Sequence, residues 1–458
     1  MNTTVEELTP RRKLVVLATC CLSLLIVSMD STIVNVAVPA IRADLDAPLG
    51  RLQWIIDIYT LTLASLLMLA GATADRFGRR RVFRIGLTVF ALGSLACSLA
   101  PNIETLIGAR FLQAIGGSML NPVAMSIITQ VFTGKVERAR AVGIWGAVVG
   151  ISMALGPMVG GVLIDALGWP SVFWINLPIC ALTLVLTTLF VPESKSATVR
   201  GLDPIGQLLA ITFLFTVVFG LIERLPMVFV VSTVAFAAFL WQESRRSDPF
   251  IDLRFFRSVP FASATVTAIF AFAALGAFLF TCSLYLQELR GYSAVHTGAL
   301  YLAMAVATLI FSPLSGRLVG RYGTKPSLLA AGVAMTIAAV LLTRLDVTTP
   351  VWHLLIIFAI FGIGFGMVNA PITTAAVSGM PLDRAGAAAA VASTSRQVGV
   401  SMGVALCGAL TGAGLWWLIA VFTAGIAILG IVANTRWAAR SRDRVAPILE
   451  ERVPAHAG

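Results

Sequence analysis

Charged and reactive side chains are scarce in this chain of 458 residues. Only 12% of it is Asp, Glu, Lys or Arg, whereas 58% is hydrophobic, a balance that excludes an ordinary water-soluble fold of this length. Three histidines and six cysteines, with no CxxC spacing, predict no metal and no cofactor. The GxxxxGK[ST] phosphate loop is missing as well, so the sequence indicates no nucleotide site, and the chain is not expected to be an enzyme.

Long apolar segments are what the chain has instead. Fourteen of them cover almost all of it, and each approaches the roughly 20 residues that span a bilayer. They are continuous runs rather than short alternating ones, which favours helices over β-barrel strands. The predicted fold class is an all-α integral membrane protein with 14 transmembrane helices. The segments are 14–36, 52–72, 82–100, 103–127, 139–163, 170–191, 204–222, 226–242, 261–285, 297–316, 326–345, 351–375, 385–410 and 413–435.

The positive charges are distributed among the loops rather than gathered on one polar face. The sequence therefore predicts no nucleic-acid partner. Of the 33 Lys and Arg residues, 26 fall on one set of alternate connections and five on the other. The remaining two, Arg110 and Arg396, lie inside apolar segments. By the positive-inside rule, this asymmetry predicts that both termini are cytoplasmic.

An internal repeat relates the two ends of the chain. Four short patterns recur in order at offsets of 245 to 249 residues; the pattern that begins at Gly71, for example, returns at Gly316. Six helices do not fill that offset, so two further helices must lie between the two homologous halves. We predict an N-terminal six-helix bundle over 1–200, an inserted two-helix hairpin over 201–250, a C-terminal six-helix bundle over 251–436 and a cytoplasmic tail without a fold of its own over 437–458.

Four motifs carry a resemblance to a known family. They are MDSTIVNVAVP at 29–39, GATADRFGRRR at 71–81, RFLQAIG at 110–116 and GPMVGG at 156–161. Together they resemble the major facilitator superfamily, in its 14-helix drug:proton antiporter branch. Thr73 and Ser152 depart from the family pattern, which usually has Leu and Gly there. The resemblance covers essentially the whole chain and implies two bundles that give alternating access to a central cavity.

Asp30 is the first candidate for proton coupling, because it is a carboxylic acid inside the first apolar segment. An acid at that depth costs roughly 2.5–3.5 kcal/mol on insertion scales, so its presence suggests a function. Apolar surroundings favour its neutral form and a nearby Arg110 would favour the charged form, which poises the group to bind and release a proton. The resemblance implies a role in proton relay for Arg110. Asp57, an acid in the second apolar segment, is a further candidate for proton coupling. The alternative is a permanent Asp30–Arg110 ion pair that only holds helices together.

The loop after the second segment is expected to act as a gating latch. It combines Gly71, Asp75, Arg76, Gly78 and Arg79. Its glycines permit a tight turn, and its acid can face helix N-termini or the surrounding arginines, in a contact that breaks when the halves move. The alternative is that these arginines only determine topology.

The fifth segment contains the motif of the antiporters. Gly156, Pro157, Gly160 and Gly161 recur at near one-turn spacing, so the helix can approach a neighbour closely while the proline bends it. The resemblance implies that this contact seals the cavity on one side. The alternative is close packing without a gating role.

Polar side chains within or next to apolar segments are candidates for the substrate cavity. They are Asn35, Gln113, Asn121, Asn369, Gln397 and Glu288. Asn121 and Asn369 are equivalent by the repeat, and Glu288 lies at the outer end of the ninth segment. The alternative for the amides is hydrogen bonding between helices, without contact with a substrate.

One functional hypothesis and two alternatives follow. The chain is expected to be a monomer of the bacterial cytoplasmic membrane that exports small hydrophobic, cationic or amphipathic compounds in exchange for protons. An ion gradient must drive uphill export, because no nucleotide site is evident. The first alternative is a dedicated exporter of a single metabolite or self-made antibiotic. The second is a non-transporting membrane sensor or assembly protein.

Overall fold

The computed structural model describes residues 9–195, 203–246, 251–378, 380, 385–410 and 412–450, and over these residues the protein contains helices and no β-strand. The helices are α1 Pro10–Leu45, α2 Leu49–Phe77, α3 Arg79–Ser98, α4 Ile103–Val131, α5 Lys135–Leu167, α6 Ser171–Trp174, α7 Asn176–Phe190, α8 Pro204–Ile222, α9 Val228–Arg245, α10 Val259–Leu284, α11 Ala294–Tyr322, α12 Thr324–Leu342, α13 Val351–Val377, α14 Ala385–Ala409, α15 Ala413–Val432 and α16 Arg436–Glu450. A 3₁₀ turn at Leu253–Arg257 precedes α10, and a π-helical turn at Tyr285–Leu289 continues it.

The helices account for a chain that crosses the membrane many times. Among the described residues, 11 helical stretches are long and apolar enough to span a membrane, with α6 and α7 counted as one. α5, α9 and α14 occupy the three other segments that the sequence predicts. The protein is therefore a multi-pass helical membrane protein, as its composition predicts, while the count of 14 spans stays a prediction.

Several helices extend beyond the apolar segments that predict them. α1 runs over Pro10–Leu45, whereas its apolar segment covers 14–36. The side chain of Thr9 caps it by accepting the backbone N–H of Arg12 at 3.4 Å, and proline at the first helical position needs no hydrogen-bond acceptor. Apolarity marks the part of a helix that lies in lipid, but capping residues determine where the helix begins and ends.

The expectation of a tail without a fold is wrong for its first part. Residues Arg436–Glu450 form the amphipathic helix α16. Ala438 is buried, the neighbouring Trp437 is exposed, and the hydroxyl of Ser441 accepts the backbone N–H of Val259 at 3.0 Å. High charge favours disorder, yet Ala438, Ser441 and Val445 recur at helical spacing and lie on the buried face of this helix.

Two compact units are distinguished by the contacts within each. Unit 1 consists of Met1–Leu202 and Leu279–Ala305, and unit 2 consists of Asp203–Phe278 and Val306–Gly458. In unit 1, Phe83 and Phe90 of α3 belong to a buried apolar core. In unit 2, the rings of Phe278 and Phe361 stack with their centres 4.2 Å apart. In these apolar interiors, each buried polar group needs a partner or an explanation.

Candidate functional site

Asp30 lies within α1, completely buried, and accepts hydrogen bonds from three side chains. Its Oδ2 accepts Nη1 of Arg110 at 2.5 Å. Its Oδ1 accepts Nε2 of Gln113 at 2.9 Å and Nδ2 of Asn176 at 3.1 Å. Three helices of unit 1, α1, α4 and α7, therefore meet at one carboxylate. The structure brings together Asp30, Arg110 and Gln113, which the sequence singles out, and it adds Asn176.

Arg110 is as deeply buried as its partner, with 1% of its surface exposed. Asn102 caps α4 two turns earlier, so the guanidinium lies well inside the helix. Nε donates to the carbonyl oxygen of Ile55 at 3.2 Å, and Nη1 also donates to Oε1 of Gln113 at 2.6 Å. The guanidinium carbon is 4.0 Å from the ring centre of Tyr59. These contacts offset the desolvation of the charge, which a buried ion pair by itself often does not do.

Two polar residues that the sequence analysis missed complete the site. Ser94 of α3 is fully buried, and its Oγ accepts Nε2 of Gln113 at 2.8 Å and Nδ2 of Asn176 at 3.3 Å. Asp30, Gln113, Ser94 and Asn176 thus form a closed ring of hydrogen bonds, which we call the Asp30 ring. Asn176 had a signal in the sequence, because it is the only amide side chain in the segment 170–191. Ser94 had none, because single serines are common in membrane helices.

The Asp30 ring fits the charged form of its carboxylate. Each side chain that bonds to Asp30 among the described residues donates an N–H, and the three donors take up three of the lone-pair positions of the two carboxylate oxygens. Protonation would remove the negative charge that faces Arg110.

Asp57 of α2 is also completely buried, but it lies outside the Asp30 ring. The same helix contributes Ile55 and Tyr59 to the surroundings of Arg110.

The latch candidates lie where α2 ends and α3 begins. Oδ1 of Asp75 accepts Nη2 of Arg79, one turn later, at 2.8 Å. Gly78 joins the two helices with a φ of +109°, a conformation that other residues adopt only with strain. A Cβ on Gly78 would lie 2.7 Å from Oε1 of Glu193, and that oxygen accepts the backbone N–H of Arg80 at 3.1 Å. Glu193 is a further acid at this turn, which sequence spacing did not reveal because it comes from after α7.

Two other latch candidates make looser contacts. A Cβ on Gly71 would meet only Cβ of Pro122, at 3.8 Å, so packing alone does not require glycine there. The guanidinium carbon of Arg76 lies 5.6 Å from the ring centre of Phe77. The close contacts of the turn therefore come from the other three candidates.

The glycines of the antiporter motif bring α5 against two helices of unit 1. A Cβ on Gly160 would lie 2.6 Å from Cγ1 of Ile33 in α1, and one on Gly156 would collide with the same helix. A Cβ on Gly161 would collide with the carbonyl oxygen of Ala294, the first residue of α11. The spacing of these glycines thus serves close approach to both α1 and α11.

Pro157 and Asp165 extend the contact between α5 and α11. Pro157 lies inside α5, and its carbonyl oxygen faces Gly298 so closely that a Cβ on that glycine would collide with it. Two turns later, Oδ1 of Asp165 accepts the backbone N–H of Ala294 at 3.2 Å, and Oδ2 accepts that of Val295 at 3.1 Å. A carboxylate of α5 therefore caps the N-terminus of α11, where a negative charge is favourable.

Four amide candidates for the cavity are spread over both units. Asn35 is buried in α1, where Nδ2 donates to the carbonyl oxygen of Ser31 at 3.2 Å. Asn121 is half-buried in α4, and its Oδ1 makes no hydrogen bond with any described residue. Asn369 of α13 and Gln397 of α14 are half-buried in unit 2. The amide N–H of Asn35 thus bonds within its own helix, while its buried Oδ1 makes no hydrogen bond with any described residue. The other three are partly accessible.

Glu288 lies in the π-helical turn after α10 and pairs with a residue at the end of α1. Its carboxylate is 2.8 Å from Nη1 of Arg42, and both side chains are at least one-third exposed. The adjacent Gln287 donates from Nε2 to the carbonyl oxygen of Val36 at 2.9 Å. The sequence predicts a substrate or proton group here, and the structure places it in an accessible ion pair that attaches this turn to α1.

One stretch of α14 has the letters of a hydrolase motif but not its structure. The spacing Gly399-Val400-Ser401-Met402-Gly403 is that of a serine nucleophile elbow, which requires a sharp strand-to-helix turn. Here the five residues continue one helix, and Ser401 is fully buried. The pattern therefore reflects helix packing.

The structure is that of a multi-pass helical membrane protein with an ion pair buried inside one unit, and comparison with known proteins identifies the family. The model of the Major Facilitator Superfamily matches residues 20–404. The chain belongs to this superfamily, and it is a transporter rather than an enzyme.

Several named relatives align along most of the chain. The multidrug resistance protein Stp of Mycobacterium tuberculosis is 36% identical over 419 residues, which cover 90% of this chain and 77% of that protein. The methylenomycin A resistance protein of Streptomyces coelicolor is 34% identical over 438 residues, covering 92% and 91%. The multidrug efflux pump LfrA of Mycolicibacterium smegmatis is 32% identical over 413 residues, covering 88% and 81%.

Solved structures share the fold at low sequence identity. A D-xylose-proton symporter matches with a TM-score of 0.66 at 14% identity, over 91% of this chain and 97% of its own. A peptide transporter matches with a TM-score of 0.68, also at 14% identity, over 94% and 95%. These likenesses support the fold that the repeat predicts.

Proposed function

We propose that the protein is a proton-coupled antiporter that exports small hydrophobic or amphipathic compounds across a bacterial cytoplasmic membrane, with both termini in the cytoplasm. Two six-helix bundles, connected through the pair α8 and α9, alternate the access of a central cavity. The printed names of Stp and LfrA, a multidrug resistance protein and a multidrug efflux pump, support export. The distribution of Lys and Arg among the loops supports the orientation.

The observation that carries the proposal is the Asp30 ring. When Asp30 binds a proton, Arg110 loses its counter-ion, and the hydrogen bonds that join α1 to α4 and α7 must rearrange. Loss of the proton restores the charge and the ring. The proton gradient thereby favours one arrangement on each side of the membrane, and each cycle can move a compound outward.

Two other features are assigned supporting roles. The turn held by Asp75, Gly78 and Arg79 latches one state of the protein. The contacts of α5 with α1 and α11 seal the cavity in the same state, and they separate when access changes. Asp57, Asn121 and the other polar candidates remain proposals for cavity-lining or proton-carrying groups.

The test is uphill dye transport by purified protein in proteoliposomes with an imposed pH gradient. Fluorescein and rhodamine 123, two xanthene dyes of opposite charge, serve as probes, and equilibrium binding of both is measured on the same preparations. We expect Asp30→Asn to lose gradient-driven flux of any dye that the wild type moves, and to retain binding. Glu104→Gln, which removes an acid whose side chain is 63% exposed, is the matched control and should transport like the wild type. Undiminished pumping by Asp30→Asn, or wild-type pumping without a gradient, would refute the proposal.

A further inference from the structure

Arg396 is the second arginine inside an apolar segment, and its surroundings differ from those of Arg110. It lies on α14, half-buried. Nη2 donates to Oγ1 of Thr373 on α13 at 2.7 Å, and the guanidinium carbon lies 5.9 Å from the ring centre of Phe272 on α10. Nε has no hydrogen-bond partner among the described residues. Among the described residues, no carboxylate lies within 4.0 Å of the Arg396 guanidinium, the distance at which an ion pair forms.

A guanidinium that is always charged and has five donors is thus held by one hydroxyl and one ring face. Such a group in a membrane helix is costly unless a partner neutralises it. Because Arg396 is only half-buried, part of its side chain is accessible to a bound molecule. A bound anion or strong acceptor is the partner that this arrangement lacks.

The neighbouring side chains hold the guanidinium without neutralising it. The ring of Phe272 contacts that of Phe365 edge to face, with centres 5.2 Å apart, and both rings are buried. Thr373 donates its hydroxyl hydrogen to the carbonyl oxygen of Asn369 at 3.1 Å, which leaves the oxygen turned toward Arg396. The positive charge suits a molecule that carries an acidic oxygen. It disfavours a cation, which the guanidinium repels.

We propose that Arg396 binds an anionic group of the substrate, and that the preferred cargo is an amphipathic acid with a carboxylate or phenolate. This inference names the substrate class of the transporter and rests on the proposed function. It reverses the expectation of a cationic cargo. Thr373 then holds the guanidinium in place.

Equilibrium binding tests the inference without any gradient. Fluorescein, which carries a carboxylate and a phenolate, and cationic rhodamine 123 are titrated into purified wild type, Arg396→Gln, Arg396→Lys and Arg344→Gln. Arg344 is an exposed arginine after α12 and provides the matched loss of charge. We expect Arg396→Gln to weaken fluorescein binding about tenfold, the loss of one charge-assisted contact, with partial rescue in Arg396→Lys. Binding of rhodamine 123 should stay equal or become tighter.

Three outcomes would overturn the inference. Equal weakening of both dyes would mean that Arg396→Gln damages the site generally. Unchanged fluorescein binding would mean that the guanidinium makes no contact with the anion. Displacement of fluorescein by phosphatidylglycerol vesicles but not by phosphatidylcholine vesicles would assign Arg396 to lipid headgroups.

The flux assay separates this inference from the proposed function. Charge-selective binding that depends on Arg396, without gradient-driven flux, would support the anion site and reject proton-coupled export. Gradient-driven flux that is the same for Arg396→Gln and the wild type with both dyes would support export and reject the anion site.

Discussion

Arg110 and Arg396 are the same residue type inside membrane-spanning helices, but they differ in how many fixed partners they have. Arg110 has a carboxylate, an amide oxygen, a backbone carbonyl and an aromatic ring. Arg396 has a hydroxyl and the face of one aromatic ring. The first charge is satisfied within the protein, whereas Nε of the second has no hydrogen-bond partner among the described residues. On the two proposals made above, unmet hydrogen-bonding capacity distinguishes an arginine that binds cargo from one that takes part in proton coupling.

The largest expected difference between the two arginines is in stability. Arg110→Gln leaves Asp30 buried without a counter-ion, so we expect the free energy of unfolding to fall by about 3–5 kcal/mol. Arg396→Gln removes a charge that has no buried partner, and the change should stay within about 1 kcal/mol. Denaturant unfolding of both variants in the same detergent measures these changes in the free energy of unfolding. Equal losses of stability would contradict the difference between the two arginines.

A fixed partner for Arg396 should make it resemble Arg110. Thr373 is exposed, so Thr373→Asp can place a carboxylate beside the guanidinium. We expect fluorescein to bind about tenfold more weakly, because the new acid competes for the same donors. Thr373→Asn has nearly the same shape and no charge, and it should bind fluorescein within about threefold of the wild type. Similar binding by the two variants would contradict this.

A smaller effect concerns the residues that complete the Asp30 ring. Ser94 and Asn176 share a hydrogen bond, and each bonds to a further member of the ring, Ser94 to Gln113 and Asn176 to Asp30. Their alanine variants should therefore couple by about 1 kcal/mol in a double-mutant cycle of unfolding. Thr183→Ala is the control, since the hydroxyl of Thr183 bonds only within α7. Ser94→Ala and Thr183→Ala should be additive within about 0.5 kcal/mol. Additivity of the first pair would mean that the ring does not act as a unit.

Two acids near the ends of α8 and α9 provide a contrast to the Asp30–Arg110 pair. Asp203 caps α8 through the backbone N–H of Gly206 at 2.9 Å and pairs with Arg246 at 2.9 Å. Glu243, just beyond the apolar segment 226–242, accepts the backbone N–H of Ile251 at 2.8 Å. Burial, together with the nearby Asp203 carboxylate, raises the pKa of Glu243 from 4.5 to about 7, while the Ile251 N–H and the Arg246 charge oppose the rise.

The smallest effect is the pH dependence that follows from this raised pKa. The folded protein holds a proton on Glu243 more tightly than the unfolded chain does, so the contribution to stability is complete below pH 4.5 and is lost as the pH rises through about 7. Unfolding measured from pH 4.5 to 8 should show this loss. Glu243→Gln should flatten it, and an unaltered pH profile in that variant would count against the assignment.

The sequence predicted the fold better than the details of the site. Apolar runs and a repeat sufficed for the helices, because spanning lipid requires long continuous segments. The meeting of Asp30 with Arg110 followed from a motif. Ser94 joined them only through the close approach of α3 to α4, which no local pattern reveals. Glu193 reached Gly78 for the same reason, from the far end of α7.

The positions of helix ends were the other feature that the sequence did not predict. The break between α6 and α7 places Asn176 at the start of a helix, inside a segment that reads as one continuous apolar run. α16 formed where high charge predicted none. Both depend on contacts that hydropathy does not describe.

The cap that Asp165 provides for α11 allows the contact between α5 and α11 to be followed without attaching a dye to the protein. The backbone N–H groups of Ala294 and Val295 are held by a carboxylate of another helix, so they exchange with heavy water only when that contact opens. Deuterium uptake at these two amides, followed by mass spectrometry, therefore measures how often α5 and α11 separate in the resting protein.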